Sequence, residues 1–211
     1  MIHYGDHAEK LRETPASDFS PVLESRLIHQ FDHRFGTYKD GKIEVVSTAK
    51  KKDHSYSSAP RFWIENHFFR ELPNVVENED TWFIAYRDVT RATDVRSSIA
   101  SAIPRQPAAV TMPVVKVGTA TPRHLLPAIL NSFCFDYVAR QQISGIHLNW
   151  GTFAQLPALS PEQFKDSKTG LEERGGFDLG SRVLELTYTA HDLQPFATDC
   201  GYDGPPFIWN E

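Results

Sequence analysis

The sequence is poor in cysteine and in long apolar runs. Only two of its 211 residues are cysteines, Cys134 and Cys200, and neither stands in a C-x-x-C pair or any other zinc-ligand spacing. This argues against a disulfide scaffold and favours a reduced, cytoplasmic protein. No apolar run approaches the roughly 20 residues that a helix needs to cross a bilayer, and no basic stretch followed by an apolar one opens the chain. We therefore expect neither a membrane span nor a signal peptide.

Motifs that carry chemistry are also scarce. The glycine-rich stretch ERGGFDLGS (173–181) has neither dinucleotide-binding nor P-loop spacing, so we interpret it as a loop. His29 and His33 would share a face of a strand and could ligate a metal ion, but the spacing marks no third ligand. Paired or core histidines are the preferred interpretation, we expect no metal site, and a metal-dependent nuclease is the weakest of the functional hypotheses.

The apolar pattern predicts the α+β class, with a β-rich body followed by helices. TWFIAYRDV (81–89) is the strongest strand signal, and Asp40-Gly41 marks a hairpin turn. From residue 125 the apolar period becomes helical, after a predicted N-terminus at Thr121 and Pro122. The face of this helix that is predicted to be buried comprises Leu126, Ile129, Leu130, Phe133 and Tyr137. A second helix is predicted over 181–197.

Charge is distributed unevenly along the chain. The total of 22 Lys and Arg against 27 Asp and Glu gives a net charge of −5, yet residues 82–125 contain six basic and two acidic residues. Residues 160–211 contain four basic and ten acidic residues. This asymmetry predicts a basic working face on an acidic body. The basic part includes RDVTRATDVRSSIASAIPR (87–105), where four arginines stand among threonines and serines.

Three stretches of the sequence resemble one known family. LLPAILNSFCFDYVARQQISGIHLNWGTFAQLPAL (125–159) shares with it a helix carrying LNS, then ARQ and SG, a short piece with LN, and finally QLP. LIHQFDHRFGTY (27–38) and YRDVTRATDVRSSIASAIPR (86–105) resemble the segments that precede it, in the same order. The family is the C-terminal target-recognition domain of type II and combined restriction–modification N6-adenine DNA methyltransferases. It is related to the recognition domains of type I specificity subunits.

This resemblance covers about two thirds of the chain and implies sequence-specific recognition of double-stranded DNA. It defines a recognition-like domain at 22–159, a lead-in segment at 1–21 that looks loosely held, and an acidic C-terminal extension at 160–211. In such a domain a β-rich lobe enters the major groove while basic and hydroxyl side chains hold the flanking phosphates.

Basic and polar side chains of the recognition-like domain are the candidate DNA contacts. They are Gln30, His33, Arg34, Lys50, Lys51, Lys52, Arg87, Arg91, Arg96, Arg105, His147 and Asn149. The lysines would be sequence-blind phosphate contacts, and the arginines could hold phosphates or read guanine edges. About half of the arginines are expected to be structural, because Arg87 with Asp88 and Arg96 with Asp94 could form internal salt bridges.

The chain departs from the family in lacking its catalytic parts. We find no methyl-donor cradle and no Asn/Asp-Pro-Pro-aromatic loop, since DGPPF (203–207) begins its motif with Gly204, which has no side chain to accept a hydrogen bond. The resemblance therefore implies a DNA reader without catalysis or cofactor of its own, with S-adenosylmethionine bound by a companion methyltransferase domain or subunit. The alternative is a protein-interaction module, in which the long helix docks a partner subunit or the acidic extension mimics DNA.

Overall fold

The computed structural model describes residues 1–71, 80–117, 123–160, 163 and 178–210, and these form an α+β fold. Antiparallel strands lie mainly in the N-terminal half and helices mainly in the C-terminal half, as predicted. The strands are β1 Leu11–Arg12, β2 Phe19–Pro21, β3 Gly36–Lys39, β4 Lys42–Val45, β5 Trp63–Glu65, β6 Trp82–Tyr86, β7 Ala100–Pro104 and β8 Val114–Val115. The α-helices are α1 Thr48–Lys51, α2 Asn66–Glu71, α3 Leu126–Leu130, α4 Phe133–Gln142, α5 Trp150–Phe153, α6 Leu179–Thr187 and α7 Gln194–Asp199.

The sheet β7-β6-β8 is the centre of the molecule. β6 pairs antiparallel with both neighbours, and every residue of β6 and β7 is buried. Because side chains alternate along a strand, Trp82, Ile84 and Tyr86 face the core beneath the C-terminal helices. Phe83 and Ala85 face a second core built on the N-terminal part of the chain. The unbroken apolar run of β6 is thus explained by packing on both of its faces.

The N-terminal part contributes two smaller sheets. One has the strand order β1-β5-β2, and the other is the β3–β4 hairpin. The hairpin turn at Asp40-Gly41 is confirmed, and both residues have the positive φ values that its geometry requires, 50° and 74°. The lead-in segment is more firmly held than its polar sequence suggests, since Ile2 is fully buried and forms a bridge with Ala109.

The helix predicted from residue 125 is two helices. α3 ends before Asn131, whose side chain pairs with the backbone of Ala100, accepting from the N–H and donating to the carbonyl at 2.9 Å each. The next residue, Ser132, has an extended backbone. Ser132 then starts α4 by accepting a hydrogen bond from the Phe135 amide. The predicted N-terminus at Thr121 and Pro122 lies outside the described residues.

This break changes the phase of the apolar pattern, so the predicted buried face is partly wrong. Leu126 and Leu130 of α3 are buried and Ile129 is half-buried. The remaining two members of that face lie on α4 and point outward: Phe133 is 81% exposed and Tyr137 is 66% exposed. The buried residues of α4 are Phe135, Asp136 and Ala139.

The helix predicted over 181–197 is also divided. α6 ends at Thr187, a short extended piece follows, and α7 begins at Gln194 with Pro195 in its first turn. The extended piece is held from the side, since the Arg34 guanidinium donates to the carbonyl of Thr189 at 2.8 Å. The predicted glycine-rich loop at 173–181 lies largely outside the described residues, and its described end, from Asp178, caps and starts α6. Among the described helices, none is both long and apolar enough to span a bilayer.

Candidate nucleic-acid interface

The arginine-rich stretch forms a loop, residues 87–99, that closes the hairpin between β6 and β7. Its C-terminal end is fixed by one carboxylate, because the amides of Ser97 and Ser98 both donate to Oδ1 of Asp136 on α4, at 2.7 and 2.8 Å. The middle of the loop is fixed by Arg140 of α4, which donates to the carbonyls of Ala92 and Val95. The conformation of the loop is therefore set by the helix beneath it.

Asp136 is charged in this setting. Burial alone would raise the pKa of its carboxyl group, but hydrogen bonds from the Ser98 amide, the Arg140 side chain and the Ser97 amide outweigh burial and lower the pKa. Arg140 Nε lies 2.8 Å from Oδ2, and Arg96 Nε lies 3.6 Å from Oδ1. The carboxylate thus joins two arginines and two loop amides at one buried point.

Three of the four arginines in this stretch use their guanidinium groups inside the molecule. Arg87 donates to the carbonyl of Ile28, and burial, followed by the charge of Arg26, lowers its pKa to about 10. Arg105 donates to the carbonyl of Asp80. Arg96 donates to the carbonyls of residues 131 and 132 and lies 4.7 Å from the centre of the Phe133 ring. The predicted salt bridges to Asp88 and Asp94 are not the ones that form, since Arg96 pairs with Asp136 and Arg87 bonds a carbonyl.

Arg91 is the exception. Its backbone is held at both ends of the residue, because its amide donates to Asp94 and its carbonyl accepts from the Ser97 hydroxyl. Its side chain is exposed, and its guanidinium makes no hydrogen bond or ion pair with any part of the chain that the structure describes. A fixed backbone therefore presents a free cation to solvent.

The second predicted patch is divided between the interior and the surface. Arg34 is only 1% exposed and donates to four backbone carbonyls, those of residues 51, 53, 56 and 189. Lys51 is buried, with its Nζ 2.7 Å from Asp32 and 4.1 Å from the centre of the Trp209 ring. His33 is buried beside Asp192. These three side chains hold the fold together in this conformation, so we correct their assignment as surface contacts.

Lys50 and Lys52 flank the buried lysine and are exposed. The alternation follows from the helical geometry of α1, which turns one of three successive side chains inward. Lys50 extends over the ring of Tyr56 at 5.5 Å, and Gln30 donates to the carbonyl of Asn131. The outward cations of this patch are therefore two lysines.

His147 and Asn149 lie next to the arginine-rich loop. The backbone of Thr90 donates to Ile146, and Leu148 donates to Asp88, so the two segments run side by side. His147 Nδ1 lies 2.8 Å from Asp88 Oδ2, and the imidazole is about half exposed. Asn149 caps α5 by accepting from the Thr152 amide at 3.0 Å.

The histidine pair considered for a metal is not assembled. The segment 29–34 is a tight turn rather than a strand, with Phe31 at a φ of 61° and a bridge between His29 and Asp32. His29 packs on Phe35 with ring centres 4.6 Å apart, while His33 bonds Asp192. Within the described ranges no three His, Cys, Asp or Glu side chains come together as a metal site would need.

Exposed aromatic residues near the loop are what the sequence interpretation missed. Phe133 and Tyr137 are one helical turn apart on α4, and Trp150 at the start of α5 is 54% exposed. The exposure of Phe133 and Tyr137 could have been inferred from Ser132, the serine of LNS. A serine at this position can cap and restart a helix, which changes the face that is buried. No comparable signal in the sequence marks Trp150 as exposed. Comparison with known proteins adds no relative, since no family model and no curated protein matches the chain.

Proposed function

We propose that this chain is a sequence-specific reader of double-stranded DNA, belonging with an adenine-specific N6 DNA methyltransferase of a restriction–modification system. The identity of the partner enzyme comes from the resemblance of the sequence alone. The observation that carries DNA binding is the loop 87–99, whose backbone is tied to α4 while the Arg91 side chain is free. Because the backbone is already fixed, only the side chain loses freedom when this cation binds a phosphate or a guanine.

The proposed contact set is smaller than the sequence suggested. It consists of Arg91 on the loop, the neighbouring His147, and the exposed Lys50 and Lys52. The lysines would hold phosphates without regard to sequence, whereas Arg91 has the donor fork that can read a guanine edge. Methyl transfer, with its S-adenosylmethionine, is assigned to the companion domain or subunit.

The test is a salt titration of binding to a labelled duplex, followed by fluorescence anisotropy. Wild-type affinity is expected to fall steeply between about 50 and 200 mM salt, because bound cations release counterions from DNA. Arg91→Ala should reduce the slope of log affinity against log salt by about 0.9 if the arginine holds one phosphate. If it reads a guanine instead, the loss falls on the preferred site only, by about 1–3 kcal/mol.

The matched control is Arg182→Ala, which removes an exposed arginine from α6. This variant should keep the wild-type slope and site preference. Absence of any salt-sensitive binding by the wild-type chain would contradict the proposal. An Arg91→Ala variant with unchanged slope and unchanged site preference would remove the loop from the interface.

A second candidate function, docking of a partner subunit, is favoured by the outward face of α4. Phe133 and Tyr137 are both largely exposed. Arg140 of the same helix donates to the carbonyl of Val95, a loop residue that is 94% exposed. Large aromatic side chains backed by arginine are enriched at the centres of protein interfaces. Replacing both Phe133 and Tyr137 with Ala should abolish co-elution with a companion methyltransferase subunit while DNA binding persists. Loss of DNA binding instead would assign this face to DNA.

A further inference from the structure

A column of stacked rings runs from the core to the surface at the end of β6. The ring of Tyr86, the last residue of β6, lies 4.1 Å from that of Phe153 with the planes only 8° apart. Phe153 in turn stacks against Trp150, with centres 5.8 Å apart and planes at 22°. Tyr86 and Phe153 are buried, whereas the Trp150 indole is 54% exposed. The indole is thus supported by Phe153 and is open to solvent over about half of its surface.

An open hydrogen-bond acceptor lies beside this column. The imidazole of His147 is held through Nδ1 by the Asp88 carboxylate. A carboxylate only accepts, so Nδ1 is the donor, and in the neutral form of the ring Nε2 is an acceptor. Nε2 has no partner in the described part of the chain, and half of the ring is open to solvent.

His147 and Trp150 both lie near the C-terminal end of β6. Asp88 follows Tyr86 by two residues at the start of the loop, and the His147 backbone forms a bridge with the next residue, Val89. Two buried atoms here, the Tyr86 hydroxyl and Asp88 Oδ1, have no hydrogen-bond partner among the described residues.

We infer that this surface, formed by Trp150, His147 and Arg91, binds an unpaired nucleobase with its neighbouring phosphate. The inference rests on the proposed DNA function and narrows its ligand. In a duplex the flat faces of the bases are covered by their neighbours and their pairing edges are occupied, so an indole plane and an imidazole acceptor gain little there. An unstacked base offers both a free face for Trp150 and a free N–H edge for His147. Arg91, on the adjoining loop, supplies the phosphate contact.

The experiment compares three labelled DNAs of one sequence with the full chain. The first is fully paired, the second carries one extra unpaired adenine, and the third carries an abasic residue at that extra position. The adenine bulge is expected to bind about 5- to 150-fold more tightly than the paired duplex, the range of one stacked base. The abasic bulge should bind like the paired duplex, since it has the same backbone but no ring.

Substitutions test whether the preference for the adenine bulge depends on Trp150. Trp150→Ala should lower the affinity for the adenine bulge to that for the paired duplex. Trp150→Phe should retain part of the preference but lose the change in tryptophan emission on binding, and His147→Ala should weaken the preference several-fold. Leu186→Ala is the control, because Leu186 is an apolar side chain on α6 with a similar exposure of 51%. Thermal melts establish that each variant is folded.

The outcomes separate this inference from the function on which it rests. Equal affinity for the paired and bulged duplexes overturns the inference and leaves duplex recognition standing. An abasic bulge that binds as tightly as the adenine bulge also overturns it, because the protein would then select bendable DNA rather than a base. If none of the three DNAs binds, duplex recognition itself is wrong.

Discussion

Two basic regions of this protein use their charges differently. In the loop 87–99 and its flank, Arg87, Arg96 and Arg105 donate to backbone carbonyls, and one arginine remains free in solvent. In the segment 50–52 two of three lysines face solvent. The chemistry of the side chains explains the difference. A guanidinium presents five donors in a plane and can satisfy several carbonyls of an irregular loop, whereas an ammonium is a compact, strongly hydrated charge.

This difference shows that arginines clustered in a sequence can stabilise the fold by binding backbone carbonyls, so a cluster of arginine does not by itself mark a binding surface. Lys51, the buried lysine of the segment 50–52, differs from these arginines in that its partner is a carboxylate, that of Asp32. The comparison predicts a wide spread of mutational effects among cations that look equivalent in the sequence.

Arg34→Met gives the largest expected effect. The guanidinium is almost completely buried and joins carbonyls from residues 51, 53, 56 and 189, so its loss leaves several acceptors without donors. We expect the free energy of unfolding to fall by about 5 kcal/mol, since each buried unsatisfied group costs about 1–3 kcal/mol. Urea denaturation measures it. Lys52→Met, which removes an exposed cation nearby, should change stability by less than about 0.5 kcal/mol. Equal losses of stability in the two variants would show that Arg34 contributes no more to the fold than an exposed cation does.

The two phenylalanines near the start of α4 extend the comparison to apolar side chains. Phe135→Ala should destabilise the protein by about 3–5 kcal/mol because its ring is buried in the helical core. Phe133→Ala should cost less than about 1 kcal/mol, which is the loss of an exposed ring and its contact with Arg96. Denaturation midpoints of the two variants test the phase change at Asn131. Similar midpoints would mean that the helix is continuous, as the periodicity alone predicted.

Asp136→Asn should have an intermediate and pH-dependent effect. The carboxylate stabilises the fold in its charged form, and its folded pKa is lower than its unfolded value. Its contribution is therefore complete above about pH 4, the unfolded pKa, and is lost as the pH falls through the lower folded pKa. At neutral pH the variant should lose about 2 kcal/mol, a typical value for hydrogen bonds to a charged group. Urea melts at several pH values should show the two proteins converging in acid, and a constant gap would contradict the assignment.

Lys50→Gln and Lys52→Gln give the smallest effect on the fold. Both lysines are exposed, so thermal melting should be unchanged, while each substitution should lower the salt slope of DNA binding by about 0.9. Arg96→Ala is the informative contrast from the other region. It should lower the melting temperature and leave the salt slope of the folded protein as it was. A reduced slope for Arg96→Ala would show that the arginine leaves its carbonyl partners to bind DNA.

Local signals in the sequence predict strands and turns well, but they do not predict which side chains are buried or which partners they contact. The strand β6 and the Asp40-Gly41 turn are short-range features, decided by an apolar run and by two residues that tolerate positive φ. The course of the helices is decided at a distance. Asn131 interrupts the helix by pairing with Ala100, and Arg34 holds an extended piece at Thr189, partners that no periodicity in the chain connects.

The candidate interface shows the same limit. Arg91, which is exposed, and Arg96, which is half-buried, both stand among small polar and acidic residues in the sequence. What separates Arg91 from Arg96 is that the junction of α3 and α4 offers the carbonyls of residues 131 and 132 to Arg96, and α4 offers Asp136. Such a distinction depends on tertiary packing, which is why the predicted set of contacts was larger than the set that faces solvent.

The way in which the loop 87–99 is fastened has a consequence for how this protein can evolve. Its shape is fixed by side chains outside its tip, chiefly Asp136 and Arg140, while Arg91, Thr93 and Val95 project into solvent. The positions that set the shape of the loop are therefore separate from the positions that face solvent, as they are in the loops of an antibody. Under the proposed function, replacements at the three projecting positions should change what the surface binds while the fold is kept. A new specificity would then need only single substitutions, without a compensating change in the core.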